Sequence, residues 1–116
     1  MEHTMNLNAH PFEMMRSGKK TIELRLYDEK RRKISVGDTI RFTNLDDPEQ
    51  YLITTVVSIN VFKSFEELYK ALPLLKCGYT AESITNASPM DMREYYTSDQ
   101  EAENGVCGIQ VKVVAI

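Results

Sequence analysis

The sequence holds no tryptophan, two cysteines, two histidines and five glycines in 116 residues. Each scarcity removes a class of function. Cys77 and Cys107 stand far apart without Cys-x-x-Cys spacing, so neither a zinc site nor a disulfide framework is indicated. Both read as small, partly buried apolar residues. His3 and His10 lie near the N-terminus without His-x-x-x-His or mixed His and carboxylate spacing, so no metal is called for. His10, before Pro11, reads as a loop or cap residue. There is no Gly-rich phosphate loop and no nucleophile elbow, and nothing else in the chain asks for a cofactor. No segment approaches the roughly 20 apolar residues that span a bilayer, and the first residues lack a basic stretch followed by an apolar run. The expectation is a soluble, cytoplasmic protein with no membrane partner.

What is present fits one domain, residues 1–116, large enough to bury roughly two thirds of its unfolded surface. The formal net charge of −3 argues against a strongly electrostatic nucleic-acid binder. Its distribution is uneven. From His10 to Leu45 there are nine Lys or Arg against five Asp or Glu, so the remainder is markedly acidic. Lys30, Arg31, Arg32 and Lys33 dominate the basic region and are candidates for phosphate contact. The plain reading of such a run, preceded by Asp28 and Glu29, is a solvated connecting segment.

The coarse organisation is mixed α and β. Met5 to Leu7 reads as a short strand, and Met1 to Thr4 as a candidate disordered end. Asn8 is an N-cap and Pro11 lies in the first turn of a short helix closing at Ser17-Gly18, with Phe12, Met14 and Met15 as its buried face. A strand from Thr21 to Tyr27 follows, then the basic segment, a turn at Val36-Gly37-Asp38, a strand Thr39 to Thr43 and a loop Asn44 to Gln50. Tyr51 to Phe62 is rich in β-branched residues and reads as a long central strand bent near Ser58. Ser64-Phe65-Glu66-Glu67 matches a capping box opening a helix to Leu72, and Ser88-Pro89-Met90-Asp91 opens another through Tyr96. Thr97 to Asn104 reads as an acidic connection and Val106 to Ala115 as a terminal strand.

The most informative stretch is Gly18-Lys-Lys-Thr-Ile-Glu-Leu-Arg25. Ile22, Leu24 and Leu26 share one face of a period-two segment, and Thr21, Glu23, Arg25 and Tyr27 share the other. Lys20 has the parity of the apolar set, so it joins Glu23 and Arg25 only if the chain bends at Gly18 or its stem curls over the strand end. A carboxylate between two cations stays ionised, while the cations still attract a phosphate or a polarised carbonyl. Glu with Arg can read the donor and acceptor edge of a base while Tyr27 or Tyr95 stacks on its face. The plain alternative is an exposed ion pair worth at most about 1 kcal/mol. On the reading that neither Lys20 nor Glu23 is a core residue, replacing either with Ala is expected to abolish ligand binding with little loss of stability.

This octet, with His10-Pro-Phe-Glu-Met-Met-Arg-Ser17 before it and Tyr27-Asp-Glu-Lys-Arg-Arg-Lys-Ile34 and Val36-Gly37-Asp38 after it, resembles the ASCH family. The resemblance is strong from His10 to Phe42 and looser through Tyr95-Tyr96 and Gly105 to Ile109. It implies an α+β fold, a PUA-like mixed β-barrel with short peripheral helices, of the small bacterial kind. It also implies RNA, or a nucleotide or modified nucleoside, bound beside the strand that carries Lys20, Glu23 and Arg25. One branch of the family looks like an amidohydrolase acting on N4-acetylcytidine with a motif Lys, a Thr three residues later and a Glu from the segment between helices. Lys20 matches that lysine, but Glu23 stands where the Thr is expected. Thr21 shares Glu23's parity, and Glu82 is the nearest acidic candidate for the third role. If hydrolysis occurs, Glu23 as base and Lys20 as oxyanion stabiliser is the simpler arrangement, although flanking cations make Glu23 a poor base. A third reading is a protein-interaction module. RNA contact through Lys30 to Lys33 would weaken by roughly 0.7 log unit per log unit of salt for each phosphate touched, whereas an apolar protein interface would not. The ligand's identity and the oligomeric state are not written in the sequence.

Overall fold

The computed structural model describes residues 1–115. Its elements are β1 (Glu2–Leu7), α1 (Ala9–Arg16), β2 (Ile22–Leu26), α2 (Glu29–Arg32), β3 (Thr39–Asn44), β4 (Tyr51–Phe62), α3 (Phe65–Ala71), α4 (Ser98–Asn104) and β5 (Val106–Ala115). Between α3 and α4 the chain makes three short 3-10 helices, Leu74–Lys76, Ser83–Asn86 and Pro89–Glu94. The strands form one five-stranded sheet in the order β1-β3-β4-β5-β2, with β1 and β3 parallel and the other pairs antiparallel. It curls into a half-barrel with short helices around it, the PUA-like arrangement.

The β-branched run in β4 makes the long strand on which the sheet is built. Its pairing with β5 shifts register between Val56 and Ser58, where the bend was expected. Met5, Ile40, Phe42, Leu52 and Val56 fill the concave side together with Phe12 and Met15 of α1. A second core, including Phe65, Leu68 and Met92, packs on the opposite face of β2 against Ile22, Leu24 and Leu26. β2 is therefore covered on both faces.

Gly18, at φ +85°, ends α1, and Lys19 and Lys20 both donate their backbone N–H to Met14 O at 2.9 and 3.0 Å. That reversal aims Lys20 back toward β2. Gly108 in β5 serves close approach. A Cβ there would collide with Leu72 Cδ1 and press to 3.3 Å from Ile22 Cγ2, so its absence lets α3's end settle onto β2.

Two edges of the half-barrel remain, β1 and β2. The carbonyls of Thr4 and Asn6 face away from β3, and each accepts a side-chain donor instead of a strand: Lys30 Nζ at 2.7 Å and Arg25 Nη2 at 2.7 Å. Cations close the edge where a ladder would otherwise run.

Three local expectations need correction. Met1 to Thr4 is not a disordered end, because β1 begins at Glu2 and is anchored by His3 Nε2, 2.8 Å from Asp38 Oδ2. Thr97 to Asn104 is not a plain connection but holds α4, opened by a reciprocal cap in which Gln100 N–H donates to Thr97 Oγ1 (3.1 Å) and Thr97 N–H to Gln100 Oε1 (2.9 Å). The basic segment connecting β2 and β3 is solvated but not irregular: it forms α2, with Asp28 Oδ1 accepting from Arg31 N–H at 3.1 Å as its N-cap. No helix of the described residues is long and apolar enough to cross a membrane.

Candidate functional site

Lys20, Glu23 and Arg25 come together. Glu23 pairs with Ile109 across β2 and β5, and Arg25 with Cys107, so both side chains share the face that looks toward the concave core. Lys20 Nζ lies 3.0 Å from Glu23 Oε1, and Arg25 Nε donates to Glu23 Oε2 at 2.9 Å. Lys20 Nζ also donates to the Cys77 carbonyl at 3.1 Å, and Arg25 reaches Asn6 as above. Lys20 is 6% exposed and Glu23 5%. The expectation that neither belongs to the core is therefore overturned, because the polar face of β2 is largely covered as well as the apolar one. The arrangement is not an exposed ion pair but a net-positive triad in which Lys20 and Glu23 are buried and Arg25 is partly buried.

Burial pushes the Glu23 carboxyl upward, yet Lys20 and then Arg25 outweigh it and hold its pKa below the ordinary value. Both its oxygens are already occupied by cations. Glu23 is thus a fixed anion that orients Lys20 and Arg25.

The triad lines a cleft of about 580 Å³ between β2, the end of β1, the loop after Lys76 and the Pro89–Glu94 turn. Tyr95 lies at this cleft and is 56% exposed, so its ring is available for stacking. Tyr27 does not reach it: its ring packs against the concave core and carries the Arg32 guanidinium 4.5 Å above its centre. The basic quartet is not in the cleft lining either. Arg31 is tied to Asp28 at 3.0 Å, Arg32 Nη2 donates to Asn104 O at 3.1 Å, Lys30 holds Thr4 O, and Lys33 sits 4.0 Å from Glu29 with a 66% exposed side chain. Thr21 faces a different depression beside Val57 and Gln110, and Glu82 is exposed on the turn before Ser83.

Sequence reasoning missed Tyr69, Tyr79 and Asp91, which line the same cleft. Tyr79 donates its hydroxyl proton to Asp91 Oδ2 at 2.6 Å, and the Tyr69 and Tyr79 hydroxyl oxygens are 2.7 Å apart. Tyr69 fits the helical spacing of a core residue and Asp91 that of a cap, so their local patterns conceal the second role. Only Tyr79, following Gly78 between two helical segments, stands out as an aromatic in a loop.

Both thiols are buried, and burial raises their pKa first of all, to about 11 for Cys77 and about 12 for Cys107. They are inert at neutral pH. Among the described residues no three His, Cys, Asp or Glu side chains are grouped to hold a metal ion. A larger cavity of about 770 Å³ lies on the other side of Tyr69, but its carboxylates are already engaged, Glu66 by Lys70 at 3.5 Å and Glu101 by Arg93 at 2.5 Å.

The ASCH domain profile matches residues 5–115, nearly the whole chain and including every residue of the triad. The chain belongs to the ASCH family. Members of that family are thought to bind RNA. Among solved structures this ASCH chain is similar to the hypothetical protein PH0355, at 31% identity and TM-score 0.81 over 98% of this chain and 100% of that one. It is also similar to protein PF0455 from Pyrococcus furiosus, at 33% identity and TM-score 0.74 over 98% of each chain. An ASCH protein from Zymomonas mobilis, solved as an S128A mutant, shares the fold at 12% identity and TM-score 0.67, covering 96% of this chain and 67% of that one. No curated protein matches.

Proposed function

We propose that this ASCH domain recognises a nucleotide or nucleoside, free or within RNA, in the cleft floored by Lys20, Glu23 and Arg25. The observation that carries the reading is the burial of a net-positive charged triad in a cavity of nucleoside size, beside an exposed aromatic ring. A buried carboxylate between two cations destabilises a fold more readily than it supports one. Its presence is therefore better explained by holding Lys20 and Arg25 in place for a polar ligand. Tyr95 supplies the stacking surface. Lys33 and the exposed side of α2 are a secondary contact for the phosphates of a longer strand.

Binding is favoured over hydrolysis by the state of Glu23. A carboxylate whose oxygens are both engaged and whose pKa is lowered is a weak base near neutral pH. Thr21 and Glu82, the other candidates for a hydrolytic role, lie outside the cleft lining.

The test is calorimetric titration with a panel of nucleosides, N4-acetylcytidine included, while product formation is followed in the same samples. Binding without turnover, weakened about 5- to 100-fold by Tyr95→Ala through loss of stacking, is the expected result. Turnover that Lys20→Ala abolishes would make the protein a hydrolase. Absence of binding across the panel and to single-stranded RNA would sink the reading.

A further inference from the structure

The three groups that the triad does not use, Tyr69, Tyr79 and Asp91, form a hydrogen-bond chain with a fixed direction. A tyrosine hydroxyl has one proton. Tyr79 spends its proton on Asp91 Oδ2, which also accepts the backbone N–H of Ser88 at 3.2 Å. The 2.7 Å contact between the two hydroxyls therefore has Tyr69 as donor and Tyr79 as acceptor. Burial first, then Asp91 and Tyr69, push the Tyr79 pKa far upward, so its proton stays in place.

Once both protons are committed, this part of the cleft can only accept. The Tyr69 oxygen keeps its lone pairs, the Tyr79 oxygen keeps one, and Asp91 adds carboxylate oxygens. Glu94 lies in the same lining. The triad side of the cleft, in contrast, offers donors from Lys20 and Arg25. The site is dipolar, and a chain of several phosphates would meet anions on entering it.

We infer that the cleft selects bases carrying an exocyclic amino group, with Lys20 and Arg25 meeting the base's carbonyl or ring-nitrogen acceptors and the Tyr69–Tyr79–Asp91 chain accepting from the amino group. This rests on the nucleoside reading above and specifies it. A base with a carbonyl in place of the amino group would bring lone pairs against lone pairs. The two hydroxyls cannot turn to relieve that, because Tyr79 is held by Asp91 and Tyr69 by Tyr79.

The experiment compares two pairs of nucleosides in which a carbonyl replaces the amino group: cytidine with uridine, and adenosine with inosine. Affinities are measured by calorimetry for the intact protein and for Tyr79→Phe and Tyr69→Phe, with thermal unfolding checked for each. The expected result is that the amino-bearing member of at least one pair binds ten or more times tighter. Tyr79→Phe should reduce that ratio to about twofold or less by freeing the Tyr69 hydroxyl to donate, a difference of the size expected when a single neutral hydrogen bond is lost. Tyr69→Phe, which leaves the Tyr79 to Asp91 bond intact, should reduce it less, and it keeps the test alive if Tyr79→Phe unfolds. Equal affinity within both pairs, or a ratio that neither variant changes, overturns the inference and leaves the nucleoside reading standing. Binding of none of the four nucleosides overturns both.

Discussion

Two clusters of positive charge lie close together in this sequence, and they end in opposite circumstances. Lys30 to Lys33 is the denser, yet each of its members is engaged by the protein's own carboxylates or carbonyls on a short, exposed helix. Lys20 and Arg25 are only two charges, yet they are buried around one carboxylate in a cleft. The difference teaches that density of charge along a chain says little about a site. What matters is whether the backbone around the charge is covered: α2 has solvent on its outer side, whereas β2 is packed on both faces.

The largest way to break this contrast is Glu23→Ala. It leaves two cations buried without their counter-charge, and removal of one member of a buried ion pair costs about 3–5 kcal/mol. Urea unfolding should show a loss of that size. An unchanged midpoint would mean that Lys20 and Glu23 are far more hydrated than their 6% and 5% exposure implies.

Gly108→Ala tests the covering itself. The added methyl meets Leu72 and Ile22 between β5, α3 and β2, and overpacking of this kind destabilises by about 1–3 kcal/mol. Retention of full stability would show that α3 is free to withdraw from β2.

Acid should loosen both clusters through β1, whose edge carbonyls receive Arg25 and Lys30. The hydrogen bond from His3, followed by the one from Ser35 N–H, lowers the Asp38 pKa from 3.8 to about 2. A carboxylate with a depressed folded-state pKa stabilises fully above its unfolded value and loses that contribution as pH falls through the folded one. Stability that depends on Asp38 should therefore be constant above pH 4 and vanish between about pH 4 and pH 2. Chemical unfolding of the parent and Asp38→Asn across that window should converge at the acid end. Curves that stay parallel would remove Asp38 as the anchor of β1. The depressed pKa of Glu23 works in the same direction.

The smallest effect belongs to Lys33→Ala, within about 0.5 kcal/mol of the parent, since its side chain is exposed and its partner Glu29 more so. Thermal unfolding is sufficient to check it.

Much of the fold was legible because its signals are local. The β-branched run of β4, the cap at Ser64 and the Gly18 reversal each announce an element within a few residues. The family resemblance located Lys20, Glu23 and Arg25. Their burial was not legible, since period-two alternation in β2 reports one apolar face and is silent about what packs on the polar one. Tyr27 was misplaced for the same reason: its parity matches Arg25, but beyond Leu26 the strand has ended and the ring turns under Arg32. Thr97 and Gln100 stand at capping-box spacing, a signal that the acidic composition of Thr97 to Asn104 hides. The Tyr69–Tyr79–Asp91 chain joins three separate elements, so no window of sequence contains it.

The most direct measurement is a residue-resolved NMR titration of the labelled protein with short single-stranded RNA. The account predicts shifts centred on Lys20, Glu23, Arg25, Tyr79 and Tyr95, with weaker and salt-sensitive changes at Glu29 to Lys33. Shifts confined to Glu29 to Lys33 would contradict it, and would make the exposed helix the binding surface and the buried triad a structural feature alone.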